Sequence, residues 1–128
     1  MEHHNIVVRA WTGFLRGLTG LVCRVDDTQL PRVPREGPYI MVVNHVNIVE
    51  VPTIFTRLLD CPITPISKVE NATNPLLAPF FQAFQVVYIR RGEVNQTAFR
   101  KAQEALDRGR VLVVYPEGTR SANGRLGK

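Results

Sequence analysis

Cysteine is scarce in this chain: Cys23 and Cys61 are the two in 128 residues. They have neither C-x-x-C spacing nor the density of a disulfide scaffold, so they read as reduced thiols in a cytosolic setting. Histidine is nearly as rare, and of the three, His3 and His4 are adjacent. That spacing offers no metal-ligand set, and no metal site is expected. Long apolar runs are also missing, because Arg9, Arg16 and Arg24 cut the N-terminal apolar region well short of the roughly 18 residues a spanning helix needs. The opening Met-Glu-His-His has no basic n-region, which argues against a cleaved signal peptide. Aromatic residues make up 8%. There is neither a stacking platform nor a recognition-helix pattern, so a nucleic-acid partner is set aside. No G-x-S-x-G elbow occurs, and Gly127-Lys128 cannot close a Walker A loop because Ala122 stands where the earlier glycine belongs.

What the chain does have is positive charge, +5 at pH 7, with 45% hydrophobic residues. One modest core in one domain is within reach, and an anionic partner is implied. Residues 1–25 form a first unit. Within it, from about Ile6 to Val25, a helix is expected with Arg9, Arg16 and Arg24 on one side and Val7, Trp11, Phe14, Leu15, Leu18, Leu21 and Val22 around the rest. Such a helix suits the interface of an anionic membrane, and it equally suits packing on the protein's own core. Residues 26–37, rich in proline and charge, read as a linker, with the main domain from 38 to 128.

In that domain short apolar strands alternate with helices. Tyr39 to Val43 reads as a strand buried on both faces. Asn47 to Leu59 reads as a helix opened by the capping box Asn47-x-x-Glu50. Ile63 to Ser67 is a strand whose Pro65 implies a sheet edge or strand end. Asn74-Pro75 signals a helix carrying Leu76, Leu77, Phe80, Phe81 and Phe84. Val86 to Arg90 is the third strand. Asn95 to Arg108 follows as a helix with Ala98, Phe99, Ala102, Ala105 and Leu106 on one face, an Arg100–Glu104 pair outside, and Gly109 as its stop. Val111 to Tyr115 is the last strand. The pattern is α/β, a mostly parallel sheet flanked by helices. With only the tail to Lys128 after the last strand, an incomplete domain is expected.

Three strand ends carry polar groups: His45 with Glu50, then Arg90 and Arg91, then Glu117, Gly118, Thr119 and Arg120. An imidazole titrating near pH ~6.5 can accept a proton at neutral pH, and a carboxylate five residues on can orient it. Equally, Glu50 can be a helix cap alone and the arginines a solvated strand end. A glycine turn with an arginine suits a phosphate.

Together Asn44-His45-x4-Glu50, Tyr88-Ile-Arg-Arg91 and Tyr115-Pro-Glu-Gly-Thr-Arg-Ser121 resemble, in order and separation, the first three motifs of the glycerolipid acyltransferase family, which includes 1-acyl-glycerol-3-phosphate acyltransferases. Ser67-Lys68-Val69-Glu70 and Pro75-Leu-Leu77 add to the likeness. The resemblance implies acyl transfer in phospholipid biosynthesis, from an acyl-CoA or acyl-carrier-protein thioester to the hydroxyl of lysophosphatidate or a related lysophospholipid, without a cofactor. It implies catalytic roles for His45 and Glu50, and acceptor binding by Arg91, Glu117, Gly118, Thr119 and Arg120. It also implies a peripheral or monotopic place on the cytoplasmic face of the membrane. Glu50 departs from the family's usual aspartate, Gln85 stands where a glycine often opens the second motif, and Arg90 where a small or acidic residue is common. A non-catalytic module that binds lipid or anionic membrane on the same fold, inactive through truncation, is the alternative.

Overall fold

The computed structural model describes residues 6–75 and 77–125. His3, His4, Leu76 and the last three residues of the tail lie outside the described residues. Four strands alternate with helices: α1 (Ile6–Val22), β1 (Tyr39–Val42), α2 (Glu50–Arg57), β2 (Ile63–Lys68), α3 (Ala78–Phe84), β3 (Val87–Ile89), α4 (Gln96–Asp107) and β4 (Val111–Val114). All strand pairs are parallel, and the order across the sheet is β1-β4-β2-β3. The α/β class expected from the sequence is the fold observed.

Side chains alternate across a strand, so β4 serves two layers at once. Val111 and Val113 join Phe55 and Leu58 of α2, Ile63 of β2, and Phe80 and Phe84 of α3 in one buried cluster. Phe55 meets Phe80 and Phe84 edge-on, with ring centroids 5.0 and 5.4 Å apart. Such pairs contribute about 0.5–1.5 kcal/mol each beyond area burial. On the other layer α4 packs against β3 and β4. Its Ala98 and Ala105 are buried, while Phe99, expected on the same face, is 76% exposed because it sits at the margin of that stripe. The Arg100–Glu104 pair forms at 3.8 Å. Gly109, at φ +75°, ends α4 as expected. Its N–H reaches Leu106 O and that of Arg110 reaches Ala105 O, which is a Schellman cap. Arg110 is buried and donates to Thr64 Oγ1 (2.6 Å) and Ile63 O (2.8 Å), tying the starts of β4 and β2 together.

Several expectations are corrected. The strand β1 is not covered on both faces: it is an edge, with Ile40 and Val42 54% and 67% exposed. The strand that lies covered is the last, β4, with Val111, Leu112 and Val113 buried between β1 and β2. Nor is β2 an edge. It is interior, and Pro65 is its last residue paired with β4 before pairing passes to β3, a ladder end where a missing N–H disturbs least. The helix α3 begins at Ala78; Asn74 instead opens a turn whose carbonyl accepts the N–H groups of Leu77 and Ala78. Residues 26–37 hold a short 3-10 turn, Leu30–Arg32, and are pinned to the domain by Arg35–Asp60 (2.7 Å) and Arg57–Asp27 (3.5 Å).

The helix α1 packs on α2 and α3, yet the residues it buries are Val8, Thr12 and Thr19. The two threonine hydroxyls are satisfied by carbonyls of their own helix, Thr12 on Val8 O and Thr19 on Arg16 O. Its large apolar side chains, Ile6, Val7, Phe14, Leu18, Leu21 and Val22, face outward. Among the described residues no helix is long and apolar enough to cross a membrane.

Candidate active site

His45 lies just past the carboxyl end of β1, an end of a parallel sheet where α/β proteins place ligands. The neighbouring strand is β4, so the chain leaving β4 runs directly alongside. Val43 N–H donates to Val114 O (3.0 Å), and Ser121 N–H donates to His45 O (2.6 Å). His45 N–H points at Glu117 Oε1, a long contact of 3.4 Å. The Tyr115 ring lies against the imidazole, with centroids 4.8 Å apart.

The polar centre is the pair His45–Glu50, joined by a hydrogen bond between His45 Nδ1 and Glu50 Oε1. Their side chains are 22% and 17% exposed, shielded but open to one side. The second oxygen, Oε2, accepts Val46 N–H (2.8 Å) and Asn47 N–H (3.2 Å). Asn47 Oδ1 in turn accepts the N–H groups of Val49 (2.7 Å) and Glu50 (3.2 Å). This is the reciprocal capping box expected at the start of α2, although regular helix begins only at Glu50. One carboxylate thus caps the helix with one oxygen and orients the imidazole with the other. Nδ1 is committed, and Nε2 is the nitrogen left to exchange a proton. Tyr115 completes the wall: burial first, and then the Glu50 carboxylate, push its phenol up from the ordinary range.

Gly118 sits at φ +62°, a left-handed turn that suits glycine. Its N–H returns to Tyr115 O (3.0 Å) and that of Ser121 is held by His45 O, so these two N–H groups close the turn instead of facing a ligand. Thr119 and Arg120 are exposed beside it. Arg91 is exposed beyond β3, the opposite edge of the sheet from β1. Three interstrand spacings of about 4.8 Å separate those strands, roughly 14 Å. The structure therefore brings His45, Glu50 and Glu117 together, sets Gly118, Thr119 and Arg120 alongside, and keeps Arg91 apart. Neither Arg91 nor Arg120 has a carboxylate within 4.0 Å among the described residues. The sequence reading missed Tyr115 and Ser121 as neighbours of His45, since only the adjacency of β1 and β4 reveals them.

A histidine–carboxylate pair held between β1 and α2, beside the loop that leaves β4 with its exposed Arg120, defines an α/β protein whose candidate site lies at the carboxyl edge of a parallel sheet. The chain belongs to the acyltransferase family, whose profile matches residues 24–128. It is 33% identical over 101 residues to the lyso-ornithine lipid O-acyltransferase of Pseudomonas aeruginosa, covering 73% of this chain and 38% of that one. It is 25% identical over 121 residues to the 1-acyl-sn-glycerol-3-phosphate acyltransferase of Borreliella burgdorferi, covering 93% of this chain and 47% of that protein. The crystal structure of the 1-acyl-sn-glycerophosphate (LPA) acyltransferase from Thermotoga maritima shares the fold at TM-score 0.68 and 22% identity, over 94% of this chain and 47% of that one. The chain spans less than half the length of each.

Proposed function

We propose that the protein transfers a fatty acyl group from a thioester to the hydroxyl of lysophosphatidate or a related lysophospholipid, with His45 as general base. The observation that carries this reading is the Nδ1 bond from His45 to Glu50, which leaves Nε2 to take the acceptor's proton. The hydroxyl oxygen attacks the thioester carbonyl while Nε2 takes its proton. The tetrahedral intermediate then collapses with loss of the thiolate, and the imidazolium returns the proton to sulfur. A thioester is already activated, so no enzyme nucleophile is required. General-base help contributes about 10²- to 10⁴-fold.

Acceptor binding falls to Arg120 with Gly118 and Thr119 beside the pair. Arg91 meets a head group extending across the strand ends, and Glu117, whose Oε1 faces His45 N–H at 3.4 Å, lines the acceptor side of the pair. Acyl-CoA and acyl-carrier protein are both admissible donors. The two named relatives act, by name, on a lyso-ornithine lipid and on 1-acyl-sn-glycerol-3-phosphate, so the head group is left to experiment. The outward apolar side of α1, with Arg9 and Arg16 exposed along another and Arg24 exposed just past its end, supports docking on an anionic bilayer, at about 1 kcal/mol per basic residue near the surface.

The test is acceptor-dependent release of free thiol from acyl-CoA, with lysophosphatidate and lyso-ornithine lipid offered separately. Release with either supports the reading and names the acceptor. Vesicle binding without thiol release, unchanged in His45→Ala, supports the non-catalytic module instead.

A further inference from the structure

We propose that Tyr115 is a positioning residue for His45, and that its ring rather than its hydroxyl does the positioning; this rests on His45 being the base. Glu50 fixes one edge of the imidazole through Nδ1. A single hydrogen bond leaves the ring free to rock about that edge. The backbone on either side of the ring is held, by Ser121 N–H on His45 O at 2.6 Å and by Val43 N–H on Val114 O at 3.0 Å. The remaining freedom is the plane of the imidazole, and that is what Tyr115 meets, at 4.8 Å between centroids and an interplanar angle of 46°. Aromatic pairs at this separation prefer defined tilts, so the tyrosine face selects an orientation.

The hydroxyl is excluded by its surroundings. Tyr115 Oη is buried with no hydrogen-bond partner among the described residues, His45 included, so the hydroxyl does not hold the imidazole. Tyr115 itself packs against the buried core cluster to which Phe55, Ile63, Val111 and Val113 belong. Its position is therefore set by the rigid part of the domain, and it passes that rigidity to the base. The third motif thereby acquires a second task, bracing the first.

The test is the imidazole NMR signature of His45 in the wild type, Tyr115→Phe and Tyr115→Leu, with kinetics alongside. The wild type and Tyr115→Phe are expected to show the same Nδ1-bound proton resonance. Removing an unpartnered buried hydroxyl should leave Tyr115→Phe as stable as the wild type or more so. In Tyr115→Leu the signal is expected to broaden or split between tautomers, and kcat to fall about tenfold at unchanged KM. An unaltered resonance in Tyr115→Leu, or the same loss in Tyr115→Phe, would overturn the proposal. Should Tyr115→Leu not fold, ring-to-ring nuclear Overhauser contacts between Tyr115 and His45 in the wild type decide: their presence supports it and their absence overturns it. The resonance is read without turnover, so it can succeed where the acyltransferase assay fails.

Discussion

The two oxygens of Glu50 face different partners, the imidazole on Oε1 and the N–H groups of Val46 and Asn47 on Oε2. Glu50→Gln separates the two tasks. The amide oxygen still accepts the backbone N–H groups, so the cap survives, and melting should shift by no more than about 2 °C. The amide NH₂ then faces Nδ1 and can only donate, which forces the imidazole proton onto Nε2, where the lone pair is needed. Acyl transfer should fall by about 10²- to 10⁴-fold. An active Glu50→Gln, or one that unfolds, would contradict the dual role. Gln85 bears on stability. Its φ of +51° lies in the left-handed region at the end of α3, where a side chain costs roughly 1–2 kcal/mol. Gln85→Gly relieves that strain and loosens the unfolded chain, so we expect a net rise in Tm of about 1–3 °C by calorimetry. A fall would mean that contacts of the Gln85 side chain outweigh the strain.

Among the elements, α1 inverts the usual amphipathic plan by burying threonines and exposing Phe14, Leu18, Leu21 and Val22. The sequence admitted both a membrane helix and a core helix, and the structure explains the ambiguity. One narrow face with small side chains packs on α2 and α3, and the broad apolar face is left over. Phe14→Asp with Leu21→Asp should leave the thermal midpoint nearly unchanged, because both side chains are exposed. The pair should sharply lower co-sedimentation with anionic vesicles; undiminished binding would remove α1 from the membrane account. Helix and strand existence was otherwise legible from periodicity, and Gly109 marked the end of α4 correctly. Strand order was not. Nothing in the apolar run of β4 says that it inserts between β1 and β2, and both the exposed face of β1 and the interior place of Pro65 follow from that insertion.

For the whole molecule, the site is a product of that same insertion. The motifs around His45 and Glu117 were legible because apolar strands break abruptly into polar residues. Their convergence depends on β1 and β4 being neighbours, and the separation of Arg91 on β3 being the far edge. Tyr115 escaped notice because in sequence it is only the last apolar residue of a strand. The resulting arrangement sets a shielded imidazole at the sheet's carboxyl edge, with the exposed Arg120 in the adjacent loop, on a domain with an apolar outer helix. The central claim is that His45 takes the acceptor's proton. The most direct test compares acceptor-dependent thiol release from acyl-CoA by the wild type and by His45→Ala, with circular dichroism to verify the fold. The account predicts a loss of at least about 10²-fold in a folded variant; turnover by His45→Ala at the wild-type rate would contradict it.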